Sequence, residues 1–297
     1  MLKVVEKRLF YYFFSLFLFL ISLYLIVFQG FIPSIDFNGG AQVEILFKDV
    51  PFKDQKDILN FKEKFKDFRI TEILKSEERY IIKMSNLQYQ DYERFLEKLK
   101  AEGINYEDVN FTNISPTIGK ELKNKAKTAI FLVLILISIY ISFAFRKNTK
   151  PVKSLVFGLA TLIALVHDVI ISLGFVILNK FPLESSIVVA LLTLAGYSIH
   201  DTIVVFDRIR ENLSLSKSSK DLKTVIEESV SQTMSRSINT SLTTIIALVV
   251  SFLTFAGYVK SLILTLIFGI IIGTYSSIFI ASPLVFEMSK FGKNGKN

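Results

Sequence analysis

Six stretches of the chain are apolar over about the 20 residues that a bilayer core requires. Residues 9–28, 128–145, 237–259 and 261–286 carry no charge at all. Residues 154–179 are interrupted only by His167–Asp168, and residues 185–206 only by His200–Asp201. The pattern predicts six transmembrane helices, one near the N-terminus and five in succession after residue 126. The first run exceeds the roughly 7–15 residues of a signal-peptide core. No Ala-x-Ala-like site follows it, so it reads as an uncleaved anchor. Tyr11, Tyr12, Tyr140, Tyr258 and Tyr275 lie near span ends and read as interfacial aromatics.

Between the first and second spans the periodicity changes. Residues 41–48 alternate as a strand does. Residues 54–67 place Ile58, Leu59, Phe61 and Phe65 at helical spacing. Residues 69–74 and 80–85 flank a short charged segment, which predicts a hairpin, and residues 89–103 return to a helical pattern that Gly103 stops. Residues 105–114 supply a last strand. The order β-α-β-β-α-β is that of a small ferredoxin-like α/β domain. The expected organisation is an N-terminal anchor (1–29), an extracytoplasmic α/β domain (30–127), a five-helix transmembrane bundle (128–289) and a short cytoplasmic tail (290–297).

Charge orients this plan. Lys and Arg number three before the first span, four after the second, six between the fourth and fifth, and three after the sixth. The two short loops on the other side carry one each, Lys180 and Lys260. Positive residues stay inside, so both termini are expected in the cytoplasm. Residues 30–127 hold 17 basic and 17 acidic residues, so the net charge of +8 belongs to the cytoplasmic side. It is a topology and anionic-lipid signal rather than a nucleic-acid one. The chain has no cysteine, which removes disulfides and thiol chemistry, and the α/β domain has no histidine. No nucleophile, base and orienter come together, so an enzyme is not expected. No metal spacing or cofactor motif is present either.

Ionisable residues inside a span cost roughly 2.5–3.5 kcal/mol on insertion scales and mark function by default. Asp168 falls near the midplane, roughly 17 Å from the outer end of its span at 1.5 Å per residue. Asp201 lies roughly 9 Å from the inner end of its own. Arg236 opens the fifth span, where Arg236, Thr240, Thr243, Ala247 and Ser251 share one helix face. Thr193, Tyr197, His200 and Asp201, and Val204 line a face of the fourth. Two polar stripes on successive antiparallel helices are expected to meet inside the bundle, bringing Asp201 towards Arg236. Histidine ordinarily titrates near neutrality, so His200 is expected as a proton-relay neighbour. Adjacent residues point about 100° apart on a helix, so His167 and Asp168, like His200 and Asp201, are not expected to pair. Asp207, Arg208, Arg210 and Glu211 read as a solvated mixed-charge run.

These residues also carry a resemblance. Gly196 to Asn212, GYSIHDTIVVFDRIREN, resembles the signature of the SecF family, the smaller membrane subunits of the SecD–SecF protein-export complex. IDFNGG at Ile35 to Gly40 is similar to the family's Asp-Phe-x-Gly-Gly element, and VHDV at Val166 to Val169 and SRSINTSLTT at Ser235 to Thr244 match two more. All four occur in the family's order. His200 departs from it, standing where Asn is common. The resemblance implies a proton-driven subunit of the resistance–nodulation–division group, partnered by SecD and assisting the SecYEG channel with a translocating preprotein at the bacterial cytoplasmic membrane. By motif position it implies that Asp201 and Arg236 serve proton transport, while Asp36, Gly39 and Gly40 are structural, the glycines permitting a tight turn. The alternative within the superfamily is half of a proton-coupled small-molecule or lipid exporter. A static scaffold for the channel is the third reading, and it predicts no role for Asp201.

Overall fold

Helix α1 (Arg8–Tyr24) continues through a π-helical turn (Leu25–Gln29) and ends at Gly30, whose φ is 70°. The computed structural model describes residues 3–32, 34–49, 51–52, 54–76, 79–84, 89–147, 149–216, 220–255 and 259–291. Tyr258 and most of the expected tail therefore lie outside the described residues. A short helix, α2 (Ile35–Asn38), follows, with Ser34 Oγ accepting from Asp36 N at 3.1 Å as its cap.

The α/β domain follows the expected order. It comprises β1 (Gly40–Phe47), α3 (Gln55–Lys64), β2 (Ile70–Ser76), β3 (Arg79–Met84), α4 (Tyr89–Ala101) and β4 (Tyr106–Ile114). The sheet runs β2-β3-β1-β4 and every pairing is antiparallel. β2 and β3 form the predicted hairpin, its tip lying outside the described residues. Alternation on β1 turns Ala41, Val43, Ile45 and Phe47 into a core shared with Phe61 and Phe65, stacked 4.3 Å apart, and with Phe95 and Leu99 of α4. Leu59 departs from the expectation, being 65% exposed. Phe61 and Phe65 are i and i+4 and define the inward stripe, from which Leu59 is rotated away.

Gly39 has a φ of 77°, and a Cβ there would lie 2.6 Å from Pro116 N, so both backbone conformation and space call for glycine. Gly39→Ala is expected to cost about 2 kcal/mol or more, combining left-handed strain with backbone overlap. Thermal unfolding of the detergent-solubilised protein checks it. An unchanged melting point would mean that this approach is not tight.

Four long helices come next: α5 (Pro116–Ala144), α6 (Ser154–Leu178), α7 (Ser185–Ser216) and α8 (Leu222–Thr254). The last span consists of α9 (Val259–Ser276), a π-helical turn (Ser277–Ala281) and α10 (Ser282–Phe291). With α1 these make six helices long and apolar enough to cross a membrane among the described residues. Helix α5 starts well before its apolar run, with Ser115 Oγ accepting from Ile118 N at 3.3 Å and Pro116 at its first turn. α7 and α8 likewise overrun theirs, so most of the charged stretch between them is helical. On α7, Arg210 pairs with Asp207, and Arg208 with Glu211 at 2.6 Å, one turn apart and largely exposed.

α6 is the most enclosed helix, whereas α1, α5 and α8 are mostly exposed. Small residues let the helices approach closely. A Cβ on Gly174 of α6 would run into Ser22 Oγ of α1, and one on Gly273 of α9 would meet Ser198 Cβ of α7 at 3.0 Å. At one end of the bundle Phe157 stands 5.4 Å from Phe145 and 5.1 Å from Phe206 in an aromatic core that also takes in Val4 and Val5. Tyr275 does not act as an interfacial aromatic. Its hydroxyl points into the bundle and donates to Tyr11 O at 3.1 Å, because α9 turns this face towards α1.

Candidate functional site

The site is built where α6, α7, α8 and α9 bring polar side chains onto facing surfaces. Asp168 of α6 is completely buried. Its Oδ2 accepts from Ser198 Oγ of α7 at 2.6 Å and from Ser276 Oγ of α9 at 2.8 Å. Its Oδ1 lies 2.9 Å from His167 Nδ1. This corrects the expectation that neighbours on a helix do not pair. The 100° between successive Cβ directions is bridged because the imidazole swings sideways along the helix surface. His167 Nε2 in turn lies 3.1 Å from Ser15 Oγ of α1, which lies 3.5 Å from Tyr275 OH. If Nδ1 carries the proton shared with Asp168, Nε2 is the acceptor for Ser15.

Asp201 sits one turn beyond Ser198 on α7 and is 1% exposed. Its Oδ2 accepts from Ser241 Oγ of α8 at 3.3 Å and from Thr274 Oγ1 of α9 at 3.2 Å. Those two hydroxyls are 2.5 Å apart. Ser237, one turn before Ser241, is buried, and among the described residues its hydroxyl makes no hydrogen bond of ordinary geometry. The two acids share a frame. Ser198 donates to Asp168 through its side chain, while its carbonyl accepts from Thr202 Oγ1 and Ser277 Oγ, both at 3.2 Å. Thr202 and Ser277 are themselves 2.7 Å apart. Ser276 and Ser277 are supplied where α9 passes into its π-helical turn, a distortion that often accompanies functional sites.

The expected partnership of Asp201 with Arg236 is absent in this conformation. Arg236 is exposed and forms no ion pair among the described residues. The expected stripe of Arg236, Thr240, Thr243, Ala247 and Ser251 lies mostly outward, and the buried face of α8 is one position on, through Ser237 and Ser241. On α7 the same offset applies. Thr193 and His200 are exposed, and Asp201 belongs to the buried face with Leu194, Ser198 and Val205. The two outer stripes still touch at their inner edges, where Tyr197 OH donates to Thr240 O at 3.0 Å and lies 3.1 Å from Thr244 Oγ1. The His200 side chain is 57% exposed, with Nδ1 4.0 Å from Asp201 Oδ1.

The helix carrying Asp201 begins beside Asp36, whose Oδ2 accepts from Ser185 N at 2.8 Å. Sequence reasoning left out Ser15, Ser198, Thr202, Ser241, Thr274, Ser276 and Ser277. Hydroxyls are common in membrane helices and give no signal of their own, although the adjacent Ser276 and Ser277 within an apolar run could have been noticed.

The family model "Protein export membrane protein SecD/SecF, C-terminal" matches residues 94–291. A protein translocase subunit SecF from Sebaldella termitidis is 35% identical over 298 residues, 99% of this chain and 94% of its own length. The chain belongs to the SecF family. The Helicobacter pylori (strain 26695) SecF subunit is 35% identical over 93% of this chain and 84% of its own. Among solved structures, SecDF from Thermus thermophilus, described as a translocon-associated membrane protein, superposes with a TM-score of 0.81 at 28% identity over 97% of this chain. SecDF in a super-membrane-facing form gives a TM-score of 0.71 at 30% identity over 99%. The chain spans 39% and 40% of those two SecDF chains. A SecF-family chain with six apolar helices is a multi-pass membrane protein.

Proposed function

We propose that this chain is a subunit of the Sec protein-export machinery, paired with SecD and using the proton motive force to assist preproteins leaving the SecYEG channel. The observation that carries the proposal is the enclosure of two carboxylates, Asp168 and Asp201, in one hydroxyl-lined frame through Ser198. A carboxyl group retained at that depth despite its insertion cost points to ion handling. Ser198 and Ser276 bond Asp168, Ser241 and Thr274 bond Asp201, and His167 continues the polar line from Asp168 to Ser15 of α1. Arg236 precedes by five residues on α8 the Ser241 that bonds Asp201, and it is exposed. Its approach expels a proton from Asp201, and its withdrawal admits one. A charge crossing 100 mV delivers about 2.3 kcal/mol, enough to bias two states a few kcal/mol apart.

The outward stripe of His200, Arg236 and Thr243 supports a partner half. Lipid is a poor neighbour for such groups, and the chain accounts for only 39% of the SecDF chain on which it superposes. SecD is the cover we assign to it. The charge bias supports cytoplasmic termini in the bacterial cytoplasmic membrane, with residues 30–127 on the far side. Proteoliposomes holding this chain with SecD are expected to dissipate an imposed pH gradient faster than those holding the chain alone. Equal rates would remove the need for a partner at that stripe, and no flux in either would end the proton reading.

A further inference from the structure

The α/β domain grips the bundle through residues 183–185, immediately before and at the start of α7. Leu183 N donates to Ile32 O at 2.8 Å, and Ser185 N donates to Asp36 Oδ2 at 2.8 Å. Between them Glu184 forms an ion pair with Lys83 of β3, and both side chains are buried. Lys83 also lies 3.2 Å from Glu72 on the neighbouring strand β2. A lysine this deeply buried is held by its partners. Burial pushes the Lys83 ammonium towards losing its proton, but the hydrogen bond and charge of Glu184, with the charge of Glu72, outweigh it and leave the pKa raised. The contribution of the pair is therefore intact below the ordinary lysine pKa of 10.5 and is lost only as pH climbs through the higher folded value.

Asp36 completes the grip as a carboxylate set at the N-terminus of a long helix, where the first N–H groups need an acceptor. α7 then runs unbroken from Ser185 to Ser216. Asp201 lies on it about 24 Å from the grip at 1.5 Å per residue. Beside the grip a cleft of about 260 Å³, lined by Ser34, Asn38, Thr71, Glu72 and Lys180 among others, separates the domain from the bundle. The domain also packs on the start of α5 through Gly39, so this clasp is its hold on α7, with open space next to it.

We propose that the Lys83–Glu184 ion pair and the Asp36 cap are the joint through which α7 moves the α/β domain, staying closed while the Asp201 region rearranges. This rests on the proton-driven reading above and adds to it the route by which movement leaves the membrane. Lys83, Glu184 and Asp36 are positioning residues, since none of them handles the proton.

The test uses the full chain with its SecD partner in vesicles, scoring proton flux and preprotein export separately. The chain has no cysteine, so Lys83→Cys with Glu184→Cys introduces a unique thiol pair when the partner is also cysteine-free. With the thiols free, export is expected to fall about tenfold while flux stays within about twofold of the parent. Bridging the thiols with a short reducible bis-methanethiosulfonate is expected to restore export, and reduction to abolish it again. Parental export with free thiols, no recovery on bridging, or flux lost together with export would each overturn the joint. If the thiol variant fails to accumulate, Asp36→Ala frees Ser185 N and leaves the ion pair in place, and unchanged export in that variant overturns it equally. Asp201→Asn in the same vesicles separates the two proposals. If that variant conducts and exports normally, the proton reading fails. If it is silent while the free-thiol variant exports at the parental rate, only the joint fails.

Discussion

Asp201→Asn is expected to silence both proton flux and proton-dependent export, while the protein accumulates and melts like the parent or slightly above it. Asparagine has nearly the volume of aspartate, and its amide oxygen can still accept from Ser241 and Thr274, which hold Oδ2 at 3.3 and 3.2 Å. What it lacks is a proton that comes and goes. Removing an ionisable group from lipid depth relieves a cost of roughly 2.5–3.5 kcal/mol on insertion scales, so stability has no reason to fall. A loss of function at constant or higher stability is the signature of a working acid, whereas a static packing residue would show the reverse. Flux is read with a pH-sensitive dye in reconstituted vesicles and stability from thermal unfolding in detergent. Full flux with full export in this variant would return the chain to a scaffold.

Much of the architecture could be read from residue order because the bilayer is a severe selector. A span must stay apolar over nearly its whole width, with Asp168 and Asp201 the two exceptions, so the six runs and their helices coincide even where the helices overrun the apolar stretch, as α5 and α7 do. The α/β domain was equally legible, since period-two and period-3.6 patterns alternate cleanly there. The inward face of α8 was not. Ser237, Thr240, Ser241, Thr243 and Thr244 surround that helix with hydroxyls, so a stripe through Arg236 and one through Ser237 fit the sequence about equally well, and only packing against α7 and α9 selects the second. Lys83 was hidden for a different reason. A single lysine on a short strand reads as solvated, and its burial depends on Glu184, 101 residues further along the chain. Pairings of that sequence distance leave no local pattern.

The same enclosure makes Asp168 the more fragile of the two acids. Asp168→Leu fills the space but withdraws the acceptor from Ser198, Ser276 and His167, which lie 2.6, 2.8 and 2.9 Å away. Double-mutant cycles in membrane proteins average about 0.6 kcal/mol per interhelical hydrogen bond, which gives about 2 kcal/mol for three. Stranded donors in a soluble core would cost about 1–3 kcal/mol each. Ser276 has a second acceptor in Gly273 O at 3.0 Å, so its share is small. The expected loss is therefore about 2–4 kcal/mol, a large part of a typical folding margin, and the leucine variant should melt early and accumulate poorly. Asp168→Asn should fold. Its amide oxygen can accept from both serines, and its NH₂ can donate to His167 Nδ1 once the imidazole carries its proton on Nε2. Thermal unfolding of the two variants side by side checks this, and a leucine variant as stable as the parent would show that the network holds nothing together. The asparagine variant then carries the functional question alone. If it conducts protons, Asp168 is a brace that keeps α6, α7 and α9 in register around Asp201. If it folds and is silent, the proton route passes through both carboxylates, with Ser198 as the element that keeps them within reach of one another.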